Sequence, residues 1–67
     1  MIQISLAAAR VNAMMTQEEV AKKMKVSKNT IVNWEKGKSE PSISQSKELS
    51  SIYNMPLDYI FVPTESN

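Results

Sequence analysis

The sequence predicts an all-α fold, a compact five-helix bundle, on three observations. Helix-forming Ala, Lys, Glu, Gln, Met and Leu are plentiful, glycine occurs once, and no Asn-Gly or Asp-Gly pair signals a hairpin. Two capping boxes, Thr16 with Glu19 and Ser42 with Gln45, mark helix starts. Apolar residues recur at spacings of three and four through most of the chain.

The elements follow in order. Residues 2 to about 13 read as a first helix, because Ile2, Leu6, Ala9 and Ala13 form one apolar stripe. Arg10 lies beside that stripe, a place that requires a buried partner. Thr16 opens a second helix that runs to Lys23 or Met24 with Val20, Ala21 and Met24 inward. Its acids, Glu18 and Glu19, stand at the amino end, and Lys22 and Lys23 at the carboxyl end, as the helix dipole favours. Ser27 caps a third helix over 28–36 with Ile31 and Trp34 inward and Lys28, Asn29, Val32 and Asn33 on the other side. Gly37 is placed to end it in the left-handed conformation, and Pro41 bars continuation. Ser42 starts a fourth helix reaching about Tyr53, with Leu49 and Ile52 inward and Asn54 suited to a left-handed end. Pro56 suits the first turn of a short fifth helix through Phe61, stopped by Pro63. The chain reads as one domain over residues 1–62 with a short flexible tail at 63–67.

Composition excludes much chemistry. Without Cys there are no disulfides, thiolate nucleophiles or Cys-based zinc sites. Without His the commonest general base and metal ligand is missing. Ser44-Gln45-Ser46-Lys47 matches the S-x-x-K pattern of acyl-enzymes but stands alone, with none of the motifs that accompany it. The scattered methionines read as gap-fillers. Apolar runs such as Leu6–Ala9 fall far short of the ~20 residues that span a bilayer. No metal, cofactor or small-molecule ligand is implied, and an enzyme is a remote reading.

The net charge of +1 conceals a strong polarity. Within 22–38 six lysines face one acid, a net of +5, while the remainder of the chain nets −4. A domain so divided can present a basic face to a polyanion while staying nearly neutral overall. The segment 17–36 is also built for close crossing of two short helices: Ala21 permits approach, and Val20, Met24, Val26, Ile31 and Trp34 lock the angle. That is the recipe of a helix-turn-helix, whose second helix enters the DNA major groove. Lysine can donate to guanine O6 and N7, and asparagine can pair bidentately with adenine.

Here the chain resembles the Cro/repressor-type, Xre-like helix-turn-helix family of phage and bacterial transcriptional regulators, with their lambda-repressor-like DNA-binding domain. The matching residues are Thr16-Gln17-Glu18-Glu19-Val20-Ala21, Val26-Ser27, Ile31, Trp34-Glu35-Lys36-Gly37-Lys38 and Pro41, continued by Leu49, Ile52 and Leu57-Asp58-Tyr59-Ile60. The resemblance covers about residues 2–61. It implies that Ser27, Lys28, Asn29 and Asn33 face bases or the adjoining backbone. Gln17, Thr30, Lys36 and Lys38 would meet phosphates. It further implies an internal salt bridge between Arg10 and Glu35, and a homodimer contact around Pro56, Leu57 and Tyr59 and the loop before Pro41. Tyr59, Phe61 and Val62 are divided between core and dimer contact.

Three positions depart from the family pattern. Met14 and Lys25 stand where glycine usually ends the first two helices, and a left-handed non-glycine residue costs roughly 1–2 kcal/mol. Ser46 replaces a common core leucine, which predicts a thinner core under the fourth helix. The resulting expectation is a short, Cro-like regulator, cytoplasmic and nucleoid-associated, bound as a dimer to a double-stranded operator with two half-sites ~34 Å apart. The alternative is a protein-interaction module such as the antitoxin of a toxin–antitoxin pair.

Overall fold

The computed structural model of the chain describes residues 3–61, Phe61 by its backbone alone. Four α-helices carry it: α1 (Leu6–Asn12), α2 (Gln17–Met24), α3 (Lys28–Lys36) and α4 (Ile43–Ile52). A single 3₁₀ turn, Leu57–Tyr59, follows α4. Two-residue strands β1 (Ile4–Ser5) and β2 (Ile60–Phe61) pair in parallel, Ile4 beside Ile60 and Ser5 beside Phe61.

Two of the sequence expectations are corrected. The first helix begins at Leu6, not at residue 2, because the Ser5 hydroxyl accepts from Ala8 N–H and caps the helix there, leaving Ile4 and Ser5 extended. Ile2 lies outside the described residues. The fifth helix shrinks to the 3₁₀ turn, and Pro56, extended at ψ 141°, precedes the turn instead of forming its first residue. Ile60 then leaves helical geometry to pair with β1, and its side chain joins the buried core. Six residues between two prolines are too few to hold a helix against that pairing. Val62 and the tail expected at 63–67 lie outside the described residues.

All four helices end the same way. Met14, Lys25, Gly37 and Asn54 adopt positive φ, at 60°, 60°, 79° and 52°. The next residue in each case donates back five positions: Met15 N–H to Arg10, Val26 to Ala21, Lys38 to Asn33 and Met55 to Ser50. These are Schellman closures, and only one of the four uses glycine.

The core joins Leu6 and Ala9 of α1, Val20, Ala21 and Met24 of α2, Ile31 and Trp34 of α3, and Leu49 of α4 with Tyr53 and Ile60. Val20 and Ala9 have no exposed surface, and Ala21 at 5% lets α2 and α3 pack closely. Ile52 is half-buried, as is Ser46 on the same helix. On the outside, Val11 and Met14 stay exposed and line a shallow apolar groove with Ile4, Ala8, Asn12 and Met55.

Candidate nucleic-acid interface

The candidate interface is built on α3, whose orientation is set by what it buries. Ile31 and Trp34 are 1% and 4% exposed, which turns the remaining residues of the 3.6-residue period outward. Lys28, Val32, Lys36, Asn29 and Asn33 therefore share one side. Lys28, Asn29 and Lys36 are exposed, and Asn33 and Val32 are half-buried. Ser27 holds the start of this helix: its Oγ accepts from Thr30 N–H at 3.2 Å and lies 2.9 Å from Thr30 Oγ1. Both hydroxyls thus stand together at the amino end of α3, where backbone N–H groups add positive potential. Buried Gly37 turns the chain so that exposed Lys38 follows Lys36 beyond the helix end.

Glu35 lies on the inner side of the same helix and is consumed internally. Arg10 Nε donates to its Oε2 at 2.8 Å, and Gln17 Nε2 donates to its Oε1 at 3.0 Å. The Arg10 and Glu35 side chains are 16% and 8% exposed. A second Arg10 nitrogen donates to Met15 O at 2.9 Å, which fastens the loop between α1 and α2 beside the left-handed Met14. One network therefore ties α1, the start of α2 and the end of α3 together.

This network places Gln17 differently from a free surface amide. Its side chain spends one of two amide hydrogens on Glu35 and keeps the other. The capping box occupies the N–H groups of Thr16 and Glu19, so those of Gln17 and Glu18 are the remaining first-turn donors of α2.

Tyr53 was missed as a core residue by sequence reasoning. It is 4% exposed and follows the last turn of α4. Burial first, and then the Glu35 carboxylate, push its hydroxyl up to about 12, with the Arg10 guanidinium opposing them. A spacing of four from Leu49 was the available signal, weakened by the tyrosine hydroxyl. Pro56, Leu57 and Tyr59 form an exposed corner, Leu57 at 37% and Tyr59 at 48%. Among the described residues, no cluster of acidic side chains is arranged to hold a metal ion, and no helix is long and apolar enough to cross a membrane.

Comparison with known proteins agrees with this geometry. The family model described as helix-turn-helix matches residues 6–60. An uncharacterised HTH-type transcriptional regulator of Archaeoglobus fulgidus is 42% identical over 48 residues, covering 72% of this chain and 68% of the relative. The cryptic phage CTXphi transcriptional repressor RstR of Vibrio cholerae is 34% identical over 58 residues, covering 87% and 52%. The HTH-type transcriptional regulator ImmR of Bacillus subtilis is 35% identical over 52 residues, covering 78% and 41%. The chain thus spans about half the length or less of these two bacterial relatives. No solved structure matches significantly. With the match spanning all four helices, the chain belongs to the helix-turn-helix family of DNA-binding transcriptional regulators, which act by binding and not by catalysis.

Proposed function

We propose that the chain is a Cro-like repressor that docks as a homodimer on an operator with two half-sites. The observation that carries this reading is the outward side of α3. Two amides and two lysines lie opposite the buried Ile31 and Trp34, so the face that reads is fixed by the face that packs. Lys28, Asn29 and Asn33 read bases, with the Ser27 hydroxyl beside them at the helix start. Asparagine selects adenine because it offers one donor and one acceptor to N7 and N6, and lysine favours the two acceptors of guanine. The free amide hydrogen of Gln17 and the first-turn N–H groups of α2 take a phosphate, as helix amino ends do. Thr30, Lys36 and Lys38 hold further phosphates and fix the register of α3 without reading sequence.

The Arg10–Glu35 pair serves this function indirectly. It removes the one acid of α3 from the field that the DNA meets, so the basic segment acts at nearly its full positive charge. Residues 1–62 constitute the working domain, in a cytoplasmic, nucleoid-associated protein. Occupation of a promoter by such a dimer blocks polymerase.

Selection of bound sequences from a random duplex pool tests the proposal. The expected result is a palindromic consensus with half-site centres ~34 Å apart. Asn29→Ala and Asn33→Ala should each relax preference at one position and leave non-specific affinity nearly unchanged. Uniform weakening at every position would reassign the reading face. No enrichment of any sequence would overturn the proposal.

A further inference from the structure

The side of α3 that carries the reading amides also carries an apolar residue that lies outside the core. Val32 is half-buried. The half-buried apolar side chains that pack on the core are Ile4, Ala13, Met15, Val26, Ile52 and Met55. Among the described residues, Val32 is not packed against that cluster. Its position in the helical period explains this: it stacks between Lys28 and Lys36 in one row along the helix, beside the row of Asn29 and Asn33 and away from Ile31 and Trp34. A β-branched residue also lowers helix propensity relative to Ala, so neither core packing nor helix propensity accounts for valine here.

We propose that Val32 is a specificity-determining residue that reads the C5-methyl group of a thymine. The inference rests on the DNA-binding reading above and extends it to a residue with no hydrogen-bonding group. Within the major groove only thymine presents a methyl, and apolar side chains recognise it by contact. The two γ-methyls of Val32 are stiff at χ1 and project from the middle of the reading side. Three residues separate Val32 from Asn29, ~4.5 Å along the helix axis, which is one or two base-pair steps. The thymine therefore lies within that distance of the adenine that Asn29 selects. Burial of the methyl contact removes apolar surface of both partners from water on binding, and a cytosine or a demethylated base at that position forfeits it.

The test uses the full chain and the duplex most enriched from a random pool, with its thymines replaced singly by deoxyuracil, which lacks only the methyl. One thymine in each half-site should prove sensitive, its replacement weakening binding about threefold to fivefold, the value of one buried methyl-sized group. In Val32→Ala, which keeps a strong helix former at an outward position, that sensitivity should vanish while the adenine preference persists. A chain that selects adenine through Asn29 yet is indifferent to every thymine methyl overturns this proposal alone. So does a methyl sensitivity that is unchanged in Val32→Ala. Failure to select any duplex overturns both this proposal and the reading on which it rests.

Discussion

Glu35 uses each carboxylate oxygen for a different helix, Oε2 for Arg10 on α1 and Oε1 for Gln17 at the start of α2. Both partners of the ion pair are largely withdrawn from water, so the energetics are those of a buried pair and not of a surface one. Removing one side is then costly because the other charge stays behind. Glu35→Ala leaves the Arg10 guanidinium with the Met15 carbonyl as its protein acceptor. The expected loss is about 3 kcal/mol, the lower end of the range for broken buried pairs, since Arg10 retains some exposure. A domain of this size holds roughly 3–10 kcal/mol in total, so the variant should forfeit about a third of its stability or more. Glu35→Gln, which keeps an acceptor but no charge, should lose less. Urea unfolding measures both, as a shifted midpoint with an unchanged slope. A shift equivalent to less than about 1 kcal/mol for Glu35→Ala would place the pair among surface ion pairs. Sequence spacing could not have disclosed this network, because its members are 25 and 18 residues apart. Arg10 beside an apolar stripe was a signal that a partner exists, and only the family resemblance pointed to Glu35.

At the scale of elements, the helix ends are the most legible part of the chain. The hydroxyl caps at Thr16, Ser27 and Ser42 and the left-handed Gly37 and Asn54 follow from chemistry confined to a few neighbouring residues. The ends of the chain were less legible because long-range pairing decides them. Nothing local in Ile4-Ser5 or Ile60-Phe61 signals a two-residue parallel pairing across 56 residues of sequence. The repeated Schellman closure yields a prediction. Met14 is 90% exposed at φ 60°, so its side chain contributes little packing while its Cβ opposes the backbone. Met14→Gly relieves roughly 1–2 kcal/mol of left-handed strain and returns part of it as unfolded-chain entropy. The net gain should be about 0.5–1 kcal/mol, a melting temperature about 4 °C higher. Gly37→Ala should act in the opposite sense, by at least about 1 kcal/mol, because the new Cβ enters a buried position at φ 79°. Calorimetry on the pair decides the matter: equal effects of the same sign would mean that left-handed strain does not govern these turns.

For the whole molecule, charge and surface divide the labour. The segment 22–38 holds a net +5 around α3, while the remaining sequence is net acidic. A single helix of nine residues reads only a few base pairs, which is too little to distinguish an operator from competing sites. The proposed homodimer would supply the second helix, with its proposed contact at the corner formed by Pro56, Leu57 and Tyr59. Tyr59 is the better probe of that corner, because it is 48% exposed and stands outside the buried cluster. A glutamate there faces its symmetry mate across a two-fold axis, and like charges brought together oppose association. Tyr59→Glu should therefore weaken binding to a duplex with two half-sites by about tenfold or more, ~1.4 kcal/mol of lost cooperation. Binding to a duplex with one half-site should change less than about twofold, since that reaction needs no second protomer. Titrations of both duplexes at one fixed salt concentration make the comparison, because phosphate contacts alone shift affinity steeply with ionic strength. Equal weakening on the two duplexes would move Tyr59 from the dimer contact to the fold or to the DNA, and no weakening on either would move the dimer contact elsewhere on the surface.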